Sequence, residues 1–163
     1  MASGFPSPVL RLAAREGPKP DPTKSAGSPV DASARTRLSV LIVDDVDDTR
    51  ELYERFMQFQ GARVMTARDG IEALQAVSFD APDIIVLDLA MPRMTGWETI
   101  RNLRANRATR RIPIIAVSGQ RAKEEALEAG ADSYLEKPCL PNELLAEILR
   151  VLREPARRSP RDQ

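Results

Sequence analysis

The chain has 163 residues, 42% of them apolar, with 24 Lys and Arg against 24 Asp and Glu, one cysteine and no histidine. That size and apolar share suit one ordinary domain with a real core, and the zero net charge gives no reason to expect a nucleic-acid or membrane-surface partner. With Cys139 alone, neither an intrachain disulfide nor a thiolate zinc site is available, and a reducing cytoplasm fits; without histidine, a His-based triad, a His metal cluster and a phosphorylatable histidine are all excluded from this sequence.

Residues 1–37 hold six of the thirteen prolines, six basic and three acidic side chains, and no apolar periodicity, which reads as a disordered, solvated leader. Residues 154–163 repeat that character around Pro155 and Pro160 and read as a disordered tail. The folded domain is therefore expected over 38–153, with fifteen basic against nineteen acidic side chains in that middle portion, a net of −4. No apolar run approaches the roughly 20 residues that span a bilayer.

Within those limits, short apolar strands alternate with amphipathic helical stretches five times. Residues 39–43 read as the first strand. A helix is expected over about 49–60, with Leu52, Phe56 and Phe59 at helical spacing behind a capping box of Asp48 and Glu51. Residues 63–66 form a short strand, followed by a helix opening after Gly70 with Ile71, Leu74 and Val77 inward. The run 84–89 is nearly all apolar, as in a central strand buried on both faces, yet it contains Asp88. Thr95 and Glu98 have capping-box spacing for a helix to about 106. A fourth strand is expected over 112–118, a helix over 121–129, and a fifth strand over 133–135. The last helix starts near Pro141, with Leu144, Leu145, Ile148, Leu149 and Leu152 on its apolar face. The βα alternation predicts an α/β fold, a parallel sheet with helices on both faces.

In such sheets, functional groups gather outside the carboxyl ends of the strands. Those ends carry Asp44 and Asp45, Asp88, Ser118 and, just beyond the fifth strand, Lys137. Like charges about 4 Å apart repel by about 4 kcal/mol at an effective dielectric near 20, so three convergent carboxylates need compensation. A small hard divalent cation supplies it, and Lys137 adds a mobile positive charge.

The segments Val40-Leu41-Ile42-Val43-Asp44-Asp45, Leu87-Asp88-Leu89-Ala90-Met91-Pro92-Arg93-Met94-Thr95-Gly96, Ala116-Val117-Ser118-Gly119 and Gly130-Ala131-Asp132-Ser133-Tyr134-Leu135-Glu136-Lys137-Pro138 resemble the receiver domain of bacterial two-component response regulators over nearly all of 38–153. The resemblance implies a doubly wound (βα)5 flavodoxin-like fold of sheet order 2-1-3-4-5, and a stand-alone, chemotaxis-regulator-like protein. It implies that Asp88 accepts a phosphoryl group from a sensor histidine kinase or histidine phosphotransfer protein. Mg2+, with Mn2+ as a substitute, would be held by Asp45, Asp88 and the Ala90 backbone carbonyl, with Asp44 acting through water. Lys137 and Ser118 would contact the phosphoryl oxygens. Ser118 and Tyr134 would then switch the surface of the fourth helix, fifth strand and fifth helix toward a protein target. A cis Lys137–Pro138 bond is implied as well. Ala90, Gln120 and Cys139 depart from the residues common at their positions.

Each of these residues also has a plainer role. Asp44 and Asp45 could cap a helix, although Asp48 is available for that, and Asp47 and Asp48 are assigned to capping and solvated charge. Asp88 could be a buried acid paired with a lysine, Ser118 an ordinary strand end, and Tyr134 a core residue. Trp97 is expected half-exposed at a helix start and Cys139 as a free thiol. An aspartyl-phosphate phosphatase would place a second acid two residues after the nucleophile, where this chain has Ala90, and no Gly-rich loop ends in Gly-Lys-Ser or Gly-Lys-Thr for a P-loop enzyme. A shuttle or sink in a phosphorelay, or a phosphate-independent interaction module, remain as alternatives to an effector-binding regulator.

Overall fold

A computed structural model describes residues 37–154. The leader and tail expected from the sequence lie outside the described residues, apart from Arg37 and Glu154. Five strands, β1 (Ser39–Val43), β2 (Arg63–Ala67), β3 (Ile84–Asp88), β4 (Ile114–Ser118) and β5 (Ser133–Glu136), pair in parallel in the order β2-β1-β3-β4-β5. Between and after them run α1 (Asp47–Phe59), α2 (Gly70–Phe79), α3 (Gly96–Ala105), α4 (Lys123–Ala129) and α5 (Pro141–Arg153). This is the doubly wound (βα)5 arrangement expected from the sequence.

Strand periodicity divides the core into two layers. Leu41, Val43, Ile85, Leu87, Ile114 and Ala116 face α2, α3 and α4, where Ala73, Val77, Ile100, Leu103 and Ala126 cover them. Val40, Ile42, Ile84, Val86, Ile115 and Val117 face Tyr53 and Met57 of α1 and Leu144, Ile148 and Val151 of α5. The central strands β1, β3 and β4 are buried along their whole length, which explains their unbroken apolar runs.

Several boundaries differ from expectation for local reasons. Helix α1 starts at Asp47 with Val46 as its N-cap and no side-chain cap, so the capping box assigned to Asp48 and Glu51 does not form. Its inward stripe is Tyr53 and Met57, with Phe56 half-buried, whereas Leu52 and Phe59 are exposed. Ile71 of α2 is exposed too, and Gly70 and Ala73 take the inner positions beside Val77. Strand β4 begins at Ile114 because a turn closes before Pro113, with Ile112 N donating to the Thr109 carbonyl. Helix α4 starts two residues later than expected and ends on Gly130, whose φ of +116° suits glycine. By contrast, the Thr95–Glu98 capping box forms as predicted, and Val151 joins the predicted apolar face of α5.

Two structural details position the rim. A Cβ on Gly96 would fall 2.4 Å from the Asp88 carbonyl oxygen and 2.6 Å from Leu89 Cα, so only glycine lets α3 start against the end of β3. Farther down, Arg104 of α3 donates to the carbonyls of Gly130 (2.8 Å), Arg110 (3.0 Å) and Ile112 (2.8 Å) and to Asp132 Oδ2 (2.8 Å). The same Asp132 oxygen accepts from Ile114 N at 2.8 Å, so one guanidinium sews the α3–β4 and α4–β5 connections together.

Removing such a hub strands several acceptors at once. Arg104→Met, which keeps much of the volume and none of the donors, is expected to cost about 3 kcal/mol in chemical denaturation. A loss under about 0.5 kcal/mol would mean that water replaces the guanidinium without penalty.

Candidate functional site

Asp44 and Asp45 follow β1 directly, and Asp88 is the last residue of β3. Strands β1 and β3 are hydrogen-bonded neighbours with Val43 beside Leu87, so the next residue of each brings Asp44 and Asp88 side by side. Both share the strand parity that faces α1 and α5. Asp44 is 3% and Asp88 4% exposed, whereas Asp45 is exposed. One carboxylate oxygen from each of the three lies within 4.8 Å of the others.

Backbone amides hold the two buried acids in place. Asp44 Oδ1 accepts from Val46 N at 2.9 Å, and Asp88 Oδ1 accepts from Ala90 N at 3.0 Å. Arg50 of α1 donates from Nη1 to the Asp44 carbonyl at 2.7 Å and contacts Asp47 with its other nitrogen. On the far side, Lys137 Nζ sits 2.8 Å from Asp44 Oδ2 and 3.2 Å from Asp88 Oδ2. The loop behind Lys137 carries the cis Lys137–Pro138 bond.

Burial pushes the Asp88 carboxyl upward, and the Ala90 amide and Lys137 only partly oppose it, while Asp44 adds to it. Burial likewise works against the charge on Lys137, but the hydrogen bond and charge of Asp44, with Asp88 behind it, outweigh that and raise its pKa overall. The lysine is therefore held as a cation, and three acids face one ammonium. Two negative charges remain unmatched at the rim, which is the deficit a divalent cation with oxygen ligands fills.

Ser118 ends β4 one residue past Val117, the register partner of Asp88, and is 2% exposed. Its Oγ accepts from Gln120 N at 3.1 Å, and its carbonyl accepts from Lys137 N at 2.9 Å. Tyr134 on β5 is half-buried, with its hydroxyl donating to the Gln120 carbonyl and lying 3.4 Å from the Ser118 carbonyl. The fold thus gathers Asp44, Asp45, Asp88, Ser118 and Lys137 at one rim, with Ala90 in the loop immediately after Asp88. Trp97 is half-buried and packs on the core, and Cys139 is a half-buried free thiol.

Sequence reasoning passed over three side chains that brace this rim. Arg50 and Tyr53 lie on α1, and Tyr53 donates to the Cys139 carbonyl at 2.8 Å. Arg93, in the loop after β3, has φ +65° and pairs with Asp69, the buried N-cap of α2. The signal available for Tyr53 was its place one helical turn before Met57, since a phenol turned into a core needs a partner.

A sequence profile described as the response regulator receiver domain matches residues 40–149. Response regulator MprA of Mycobacterium leprae is 42% identical over 119 residues, which cover 71% of this chain and 51% of that protein. Its Mycobacterium tuberculosis counterpart is 40% identical over the same span. The chain thus spans about half the length of these relatives. Among solved structures, chemotaxis response regulator CheY4 of Vibrio cholerae aligns with a TM-score of 0.67 and 34% identity, over 71% of this chain and 98% of that one. The receiver domain of sensor histidine kinase PA1611 from Pseudomonas aeruginosa, described with a magnesium ion coordinated in its active site cleft, aligns at 0.67 and 30% over 72% and 99%.

The electrostatics give a signed expectation. A carboxyl whose folded pKa is raised contributes stability below that pKa and loses it as pH rises through it, so ionised Asp88 weakens the fold at neutral pH. In a chelator, Asp88→Asn is expected to melt a few degrees above wild type at pH 7, with the gap closing as pH falls through the carboxyl range. Mg2+ should raise the wild-type midpoint and leave the variant nearly unmoved. Identical melting of the two proteins under all three conditions would contradict the charge crowding.

Proposed function

The chain belongs to the response regulator receiver domain family, and from that premise we propose that it takes a phosphoryl group onto Asp88 from a histidine kinase or histidine phosphotransfer protein and signals by a change of surface. Domains of this family are phosphoacceptors rather than enzymes acting on an external substrate. The observation that carries the reading is the ammonium of Lys137 set between two buried carboxylates, 2.8 Å from Asp44 and 3.2 Å from Asp88. A simple ion pair needs one acid, whereas here two buried acids crowd one ammonium.

On this reading an Asp88 oxygen attacks the phosphorus of a phosphohistidine. A P–O bond forms, the P–N bond breaks, and its electron pair leaves with the imidazole nitrogen. Water attack on phosphorus later releases phosphate and restores the carboxylate. Asp44, Asp45, Asp88 and the Ala90 carbonyl would hold Mg2+, or Mn2+ in its place. The bound cation would neutralise charge on the transferring group, the main requirement of phosphoryl transfer.

The remaining steps belong to the protein. Lys137 exchanges its carboxylate partners for a phosphoryl oxygen, and the Ser118 hydroxyl leaves the Gln120 amide for another. Because the Ser118 carbonyl and the β4–α4 loop are tied to Tyr134, that exchange frees the tyrosine to turn inward and reshape the α4–β5–α5 face. We assign the activity to residues 38–153, acting in the cytoplasm on a protein target. No helix among the described residues is long and apolar enough to cross a membrane. A place in a phosphorelay, as shuttle or sink, is the second reading, favoured by the similarity to the receiver domain of a sensor histidine kinase.

Incubation with Mg2+ and acetyl phosphate is expected to add the mass of one phosphoryl group to the wild type and none to Asp88→Asn, and to change Trp97 fluorescence only in the former. Labelling of the Asp88 variant at wild-type yield would move the acceptor elsewhere. No adduct on the wild type, together with no Mg2+ binding, would leave a phosphate-independent interaction module.

A further inference from the structure

We infer that Tyr53 is a positioning residue for phosphoryl transfer: its buried phenol pins the Cys139 carbonyl and so fixes the loop from which Lys137 reaches Asp44 and Asp88. The inference rests on the phosphoacceptor reading above and adds to it a residue outside the acidic and lysine set.

A lysine side chain is long and loses about 2 kcal/mol of rotamer entropy when ordered, so where its ammonium sits depends on how firmly its backbone is held. On one side the Lys137 backbone is anchored by its own amide, which donates to the Ser118 carbonyl at 2.9 Å. On the other side Pro138 has no N–H to offer. The first tie after it is the Tyr53 hydroxyl, 2.8 Å from the Cys139 carbonyl. That hydroxyl comes from a side chain only 4% exposed and packed with Met57 against the α1–α5 layer, so it is a rigid donor. Burial, with Cys139 reinforcing it, pushes the phenol further from ionisation and keeps its proton in place.

The partner of that tie is equally well placed. Arg50, three residues earlier on the same helix, donates to the Asp44 carbonyl at 2.7 Å. One helix therefore grips both loops that meet at the ammonium: the β1–α1 loop through Arg50 and the β5–α5 loop through Tyr53. Residues three apart lie on adjoining parts of one helix face, so both grips come from one side of α1. A phenol buried merely for packing would need only some acceptor. This one has chosen the carbonyl two residues beyond the lysine.

Tyr53→Phe deletes one oxygen and keeps the ring in its pocket. With acetyl phosphate as donor, the Mg2+-saturated rate of Asp88 phosphorylation is expected to fall by roughly 2- to 10-fold, the range of one hydrogen bond. The Mg2+ concentration for half-saturation should stay as in wild type, because none of the acids or the Ala90 carbonyl is disturbed. Amide hydrogen exchange at Lys137 and Leu140 should speed up in the unphosphorylated protein, a readout independent of activity. A purely structural role would lower the melting temperature while leaving the saturated rate and the Lys137 amide alone, and that pattern overturns the inference. So does a parallel weakening of Mg2+ binding, which would place the effect in the acids. If the wild type itself takes no phosphoryl group, the functional reading fails first and this inference with it.

Discussion

Two buried carboxylates sharing one ammonium constrain the rest of this molecule. Asp44 and Asp88 are nearly inaccessible, and an ionised group in that position is costly without a partner. Lys137 supplies one positive charge to both, and the exposed Asp45 adds a third negative charge to the same few ångströms. The site is thus built short of cations. A fold that tolerates this is poised to gain stability from whatever brings positive charge, and on the proposed function the lysine would exchange its partners when a new set of anionic oxygens arrives.

The parallel sheet makes that crowding possible at modest cost. Strand ends in such a sheet release their chains toward one rim, and the amides just beyond them point at the side chains just before. Val46 N and Ala90 N solvate Asp44 and Asp88 in this way, two residues ahead in each case. The helices then lock the loops: Gly96 brings α3 against the Asp88 carbonyl with no room for a side chain, and Arg93 accepts a left-handed φ while pairing with the buried Asp69. A non-glycine residue in that region carries a conformational cost, so the pairing across to α2 offsets strain in the loop that also holds Ala90.

Much of this was legible in the sequence because the relevant signals are local. The unbroken apolar runs of the central strands, βα alternation and the Thr95–Glu98 box are read from neighbours in the chain, and all three survive in the structure. That the acids and Lys137 converge was legible because a parallel sheet sends the carboxyl ends of its strands to one rim. What escaped was decided by tertiary contact. Leu52 and Phe59 have the spacing of an inward stripe, but α1 lies on the sheet with Tyr53 and Met57 inward, a rotation that spacing alone cannot fix. The cap of α1 escaped for a similar reason: Asp44 already satisfies the Val46 amide, and the acids that looked like caps were left to solvent and Arg50. Arg104 and Asp132 stand 28 positions apart, and only the fold joins them.

Ser118 shows how these levels connect. Its hydroxyl accepts from the Gln120 amide while its carbonyl receives both the Lys137 amide and the outer reach of the Tyr134 hydroxyl. One residue at the end of β4 therefore touches the loop leading to α4, the strand beside it and the lysine of the site. On the proposed mechanism, phosphorylation needs to move only that hydroxyl. The Gln120 amide would then lose its acceptor, and the Tyr134 contact, which runs mainly to the Gln120 carbonyl, would lose the loop that holds it. On that mechanism a small rearrangement at an almost fully buried serine would become a change on a half-exposed face, because the Ser118 and Gln120 contacts connect the site to Tyr134 through one short loop.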